Sequence, residues 1–208
     1  TSVIENVLES DDTRHMRSCL SHLGIGITDV RVAHPGGGEH LNLVIAGGRS
    51  RLTAPAEPLF VGNSGTTVRF LAALAAMVPG PVTLVGDAAM AKRPIQDLVD
   101  GLSQLGVRVT CATGCPPLTI QGGELRGGVV RMRGDRSSQY FSALLMAARL
   151  AQGRFMKWRF GLRSMYGSTS KSRIISVGMT LTPMTSRLPG KYLSNWKRNM
   201  KYHSGRGV

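Results

Sequence analysis

A short β-rich run, a cluster of helix-capping side chains, an apolar helical stretch and two further β-rich runs follow one another in residues 3–46. A second cycle begins at Leu59. A chain that repeats this order has to pack each helix against a sheet, which restricts it to α/β architectures built from repeated units. In the first cycle Val3 to Leu8 reads as a strand, and Ser10-Asp11-Asp12-Thr13 supplies N-cap oxygens to a helix ending before Gly24. Ile27 to Ala33 and Leu41 to Ala46 read as two strands joined by the turn-forming Pro35-Gly36-Gly37-Gly38, the pattern of a hairpin.

In the second cycle Leu59-Phe60-Val61 leads through a glycine turn into Thr66 to Met77, whose Leu and Ala content suits a buried helix. The strand Pro81 to Val85 follows. Lys92 to Leu105 carries Ile95, Leu98, Val99 and Leu102 on one helical face, with Pro94 in the first turn and Gly106 as the expected C-cap. Val107 to Cys111, Leu118 to Gln121 and Val129 to Arg133 read as strands, and Ser137 to Leu150 as a further apolar helix.

The rhythm stops at Gly153, and we assign no helix or strand beyond it. Residues 1–152 hold 14 Lys or Arg against 12 Asp or Glu, whereas 153–208 hold 12 basic residues and no acid. Of the net charge of +14, all but +2 therefore belongs to the tail, which also carries both tryptophans, Trp158 and Trp196. We divide the chain into a domain over 1–152 and a basic, atypical tail over 153–208, and read the tail as disordered, frame-shifted or otherwise non-homologous sequence. A tail of this kind suggests nucleic acid as a partner, with Lys197, Arg198 and Lys201 beside the stacking groups Trp196 and Tyr202. We rank that reading low, because basic tails attract polyanions whatever their origin.

No apolar run approaches the roughly 18 residues that span a bilayer, and a soluble, cytoplasmic protein is expected. Cys19, Cys111 and Cys115 leave an odd thiol and no zinc spacing, so all three are read as reduced structural thiols. His15 and His22 lie two helical turns apart, too far to chelate one metal, and are read as surface residues.

Three helix starts carry anion-friendly chemistry. Gly62-Asn63-Ser64-Gly65-Thr66 places small residues and hydroxyls where backbone N–H groups are free to meet a phosphate or carboxylate, although an ordinary tight turn reads the same way. It is neither a Walker loop nor a dinucleotide fingerprint. Lys92 and Arg93 put two cations where a helix dipole disfavours them, as a bound anion or plain solvation would allow. Ser137-Ser138-Gln139 offers two hydroxyls and an amide, and also fits a simple N-cap.

In this order and spacing the segments resemble the shikimate-pathway enolpyruvyl transferases of the 5-enolpyruvylshikimate-3-phosphate synthase family. The similar segments are Leu8-Glu9-Ser10-Asp11-Asp12-Thr13, Gly62-Asn63-Ser64-Gly65-Thr66 with Arg69, Lys92-Arg93-Pro94-Ile95, and Ser137-Ser138-Gln139 with Ala143-Leu144-Leu145-Met146, within residues 3–152. The resemblance implies an inside-out α/β barrel in two domains, each of three βαβαββ units, of which this chain holds part of one. It implies transfer of the enolpyruvyl group of phosphoenolpyruvate to the 5-hydroxyl of shikimate 3-phosphate, with release of phosphate and no metal or organic cofactor. By motif matching, Ser137 and Ser138 contact the phosphate of shikimate 3-phosphate and Gln139 lies between the substrates. Arg93 and the Gly65 backbone bind phosphoenolpyruvate, and Asn63 shapes the loop. Leu162-Arg163-Ser164-Met165-Tyr166 resembles a further family segment without its Pro, which implies Ser164 as a substrate contact.

The family's N-terminal Lys-Ser segment and second domain have no counterpart here. We therefore expect a non-catalytic part of the enzyme that needs a complementing chain. The cell-wall transferase acting on UDP-N-acetylglucosamine is the alternative within the superfamily, and Ser-Ser-Gln with Arg-Pro-Ile favours the shikimate branch. Gly65 matches the glycine of family members sensitive to glyphosate, so sensitivity is expected of a full-length parent.

Overall fold

The computed structural model describes residues 1–33, 36–123, 125, 129–132, 136–150, 154–162 and 175–183. Strand β1 (Ser2–Ile4) leads to helix α1 (Asp11–His22) and the hairpin β2 (Gly26–Ala33) and β3 (Glu39–Ala46). Next come β4 (Leu59–Phe60), α2 (Gly65–Ala75), β5 (Pro81–Val85), α3 (Gln96–Gln104), β6 (Arg108–Thr110) and β7 (Leu118–Gln121). The order β4-α2-β5-α3-β6-β7 is one βαβαββ unit, with β4 and β5 parallel and β7 antiparallel to both β5 and β6. The chain continues through β8 (Val129–Val130), α4 (Ser138–Leu150), β9 (Arg154–Leu162) and β10 (Ile175–Pro183).

A smaller module recurs inside this order. In each of β1-α1-β2-β3, β5-α3-β6-β7 and β8-α4-β9-β10, the third strand lies between the first and second and is antiparallel to both. The recurrence is topological, and it is the repeat that the sequence rhythm predicts.

Local chemistry accounts for the element ends. Ser10 caps α1: its Oγ accepts from the Thr13 N–H at 3.3 Å, and Thr13 Oγ1 accepts in return from the Ser10 N–H at 3.0 Å. A threonine hydroxyl thus does the work usually given to glutamate in a capping box. Strand β1 is shorter than the expected Val3 to Leu8, because Asn6 takes a positive φ of 51° and ends it. Gly106, at φ 82°, turns the chain after α3 as expected of a C-cap glycine.

Helix α3 begins at Gln96 rather than Lys92, and the difference bears on the site. Met90–Lys92 forms a separate 3-10 turn, and Arg93 is extended at φ −86° and ψ 119°. Proline disfavours helical backbone in the residue before it, so Pro94 holds Arg93 out of the helix. Lys92 and Arg93 therefore precede α3 and do not sit in its first turn.

Beyond Gly153, where we assign no element, β9 and β10 pair as an antiparallel hairpin and β10 also pairs with β8. The register sets Met156, Trp158, Phe160 and Leu162 against Leu181, Met179, Val177 and Ile175. Apolar residues alternate with polar residues or glycine over both stretches, a period of two that marks strands.

The core is one continuous cluster. Leu71, Ala72, Ala75, Leu98, Leu102, Leu118, Ile120 and Leu144 are each no more than 2% exposed, joining α2, α3 and α4 to the four-stranded sheet. Leucine burial of this kind contributes roughly 1.5–3 kcal/mol per side chain before chain entropy is charged against it. The packing fixes how the helix starts approach one another. Between α1, α2 and α4 lies an open apolar groove of about 700 Å³, lined by Met16, Leu20, Phe70, Leu74, Leu145 and Met146.

Candidate functional site

The first turn of α2 supplies the floor of the site. Gly62 turns the chain at φ 56°, Asn63 is exposed, and Ser64 caps the helix by accepting from the Thr67 N–H at 3.2 Å. Ser64 and Thr67 are buried, and the Ser64 hydroxyl donates to Thr67 Oγ1 at 2.7 Å, so the turn is internally fixed. Gly65 and Thr66 follow in the first helical turn, where N–H groups have no carbonyl within the helix to meet.

Two guanidinium groups converge on Gly65. A β-carbon placed there would lie 2.8 Å from Arg93 Nη1 and 3.0 Å from Arg69 Nη1. Arg69 comes from α2 itself, one turn on, and Arg93 arrives from the extended segment ahead of α3. Like charges brought this close repel unless an anion or counter-dipole lies between them.

Helix α4 brings the third group. Gln139 Oε1 accepts from Arg69 Nη1 at 2.6 Å, while Gln139 Nε2 donates to Thr66 Oγ1 at 3.2 Å. Its amide thus spans the start of α2. Ser137 accepts from the Gln139 N–H at 3.2 Å, in keeping with the N-cap reading of this serine. Ser138 is exposed at the first position of α4, and Ser137 is half-buried beside it.

The structure accordingly brings Gly65, Arg93 and Gln139 together and places Asn63, Ser137 and Ser138 on the segments that carry them. Ser164 lies outside the described residues, as do Trp196, Lys197, Arg198, Lys201 and Tyr202.

Three further side chains belong to the arrangement. Arg69, which the sequence marks only as a neighbour of the glycine loop, has its Nε buried without a hydrogen-bond partner among the described residues. Tyr140 is 3% exposed, donates to the Pro94 carbonyl at 2.7 Å and lies with its ring centroid 5.3 Å below the Arg69 guanidinium. His15 is half-buried rather than fully exposed: it lies edge-on to Phe60 at 5.4 Å, where a methyl group at Gly62 would strike its ring. His22 is exposed, as expected. A neighbouring Arg in the i+4 position of a capped, glycine-started helix was the readable signal for Arg69; Tyr140 had none, since its role depends on tertiary packing.

The cysteines stand apart from this cluster. All three are free, and burial raises the Cys19 thiol from 9.0 to about 11. No group of three metal-ligating side chains occurs among the described residues, and no helix there is long and apolar enough to cross a membrane.

Two guanidiniums, an amide and helix-start N–H groups gathered at the start of α2 suit a small oxyanion such as a carboxylate or phosphate. The family model of EPSP synthase (3-phosphoshikimate 1-carboxyvinyltransferase) matches residues 1–160. The 3-phosphoshikimate 1-carboxyvinyltransferase of Rhizobium leguminosarum bv. trifolii is 44% identical over 149 residues, which is 71% of this chain and 33% of the relative. That of Pseudoalteromonas translucida is 42% identical over 155 residues, covering 74% and 35%. The solved EPSP synthase from Acinetobacter baumannii aligns with TM-score 0.62 and 25% identity, covering 86% of this chain and 41% of that one. The chain thus spans about a third of the length of the curated relatives it matches.

Proposed function

Because this chain belongs to the EPSP synthase family and carries part of the enolpyruvyl transferase fold, we propose that it holds the shikimate 3-phosphate side of the active site. In this reading the Ser137 and Ser138 hydroxyls and the first turn of α4 take the phosphate of shikimate 3-phosphate. Gln139 lies between the two substrates, and Arg93 with the Gly65 N–H takes phosphoenolpyruvate. Asn63 sets the loop ahead of Gly65. Ser164 joins as a further substrate contact through the segment that follows.

The observation that carries the reading is the meeting of Arg93 and Arg69 over Gly65, 2.8 Å and 3.0 Å from its missing β-carbon, with Gln139 bonded to Arg69 at 2.6 Å. Two cations held at that spacing are what a phosphate or carboxylate needs, and a glycine leaves it room.

The whole reaction is the transfer of the enolpyruvyl group to the 5-hydroxyl of shikimate 3-phosphate, with loss of phosphate. Proton transfer and stabilisation of the charged transition state need acids, bases and cations that converge from more than one side. We propose that 1–152 supplies one wall and that a complementing segment with the family's second domain supplies the other. The apolar groove between α1, α2 and α4 supports this, since Met146 is 63% exposed there beside Phe70 and Leu145. Within 153–208 the reading assigns a substrate contact to Ser164 alone, while β9 and β10 complete the sheet that β8 begins.

Co-expression with the remaining two-thirds of the Rhizobium relative tests the proposal. Phosphate release from phosphoenolpyruvate that depends on shikimate 3-phosphate, and that Arg93→Ala abolishes, is the expected result. A folded complex without activity would overturn the complementation.

A further inference from the structure

Arg93 is exposed, whereas Arg69 and Gln139 are half-buried, yet its backbone is held at several points. Its own N–H donates to the Met90 carbonyl at 3.0 Å. Pro94 restricts it to extended backbone. The next residue, Ile95, donates to the Gly114 carbonyl at 2.8 Å. The last restraint comes from another element: the Tyr140 hydroxyl, on α4, donates to the Pro94 carbonyl at 2.7 Å.

The same tyrosine touches the second arginine. Its ring lies 5.3 Å from the Arg69 carbon, on the face where an aromatic ring attracts a cation. Its chain neighbour Gln139 holds Arg69 by the 2.6 Å hydrogen bond. One buried side chain therefore contacts both cation-bearing segments, and it projects from the helix that Ser137 caps and Ser138 begins.

We propose that Tyr140 is a positioning residue that fixes the separation of the Arg93 and Arg69 guanidiniums around Gly65. It couples the end of the site assigned to shikimate 3-phosphate to the end assigned to phosphoenolpyruvate. The inference rests on the reading under Proposed function, and goes beyond it by assigning a residue that touches neither substrate. The phenol carries the Arg93 half of the role, by restraining Pro94, and the ring carries the Arg69 half.

Tyr140→Phe separates the two halves, because it deletes one oxygen and leaves the ring beneath Arg69. The test is calorimetric titration of the full 208-residue chain, wild type and Tyr140→Phe, first with shikimate 3-phosphate and then, at saturation, with phosphoenolpyruvate. The expected result is a five- to tenfold weaker phosphoenolpyruvate affinity in the variant, with shikimate 3-phosphate affinity unchanged within twofold. Unchanged phosphoenolpyruvate affinity would overturn the inference alone. Equal loss of both ligands, or a variant that does not fold by circular dichroism, would also overturn it, since the phenol would then serve the fold and not the spacing. A wild-type chain that binds neither ligand would sink the underlying site assignment, and the inference with it.

Discussion

Arg69 and Gln139 stand 70 residues apart in sequence and are joined by a 2.6 Å hydrogen bond from guanidinium to amide oxygen, which locks the start of α4 to the first turns of α2. The bond orients the Gln139 amide, whose nitrogen then donates to Thr66. Arg69→Ala is expected to destabilise the chain by about 1–3 kcal/mol, the usual cost of breaking a partly buried charged hydrogen bond. Urea denaturation of both proteins checks this through the shift in midpoint at constant slope.

Gly65→Ala tests the space between the arginines. The backbone there is ordinary helix, so alanine is conformationally acceptable, and the methyl meets the ends of flexible side chains. Stability should change by less than about 1 kcal/mol. Binding of phosphoenolpyruvate, and of glyphosate in a complemented enzyme, should weaken at least tenfold, measured by titration and by inhibition of phosphate release.

Gly62→Ala should behave in the opposite way. Its φ of 56° is strained for any residue with a β-carbon, and the added methyl runs into the His15 ring. A loss on the order of 2 kcal/mol or more in thermal or urea unfolding is expected.

The Cys19 thiol gives a pH signature. Its pKa rises on folding from 9.0 to about 11, through burial, so the native state favours the protonated form. That contribution is complete below pH 9.0 and is lost as pH rises toward about 11. Unfolding midpoints measured from pH 8 to 11 should fall across this window in the wild type and fall less in Cys19→Ala. Iodoacetamide at neutral pH should label Cys19 more slowly than Cys115, followed by mass spectrometry.

Much of the fold is legible in the sequence. Ser10 and Gly106 announced the ends of their helices through side-chain chemistry, and the hairpin of β2 and β3 followed from alternation around a glycine-rich turn. Lys92 to Leu105 misled because apolar periodicity says nothing of the residue before a proline. The hairpin of β9 and β10 was masked by scattered charge and by the change in composition, although Met156 to Leu162 alternates strictly. In the site, Gly65, Arg93 and Gln139 were readable from local chemistry and resemblance. The joining roles of Arg69 and Tyr140 were not, because they arise only where α2, α4 and the Pro94 segment pack together.

We propose that this chain carries a working shikimate 3-phosphate half-site. Calorimetric titration with shikimate 3-phosphate, comparing wild type with the double variant Ser137→Ala/Ser138→Ala in one buffer, tests it most directly. Saturable one-to-one binding by the wild type, weakened at least tenfold in the double variant, is the predicted result. A folded wild type that does not bind, or a double variant that binds equally well, would contradict it.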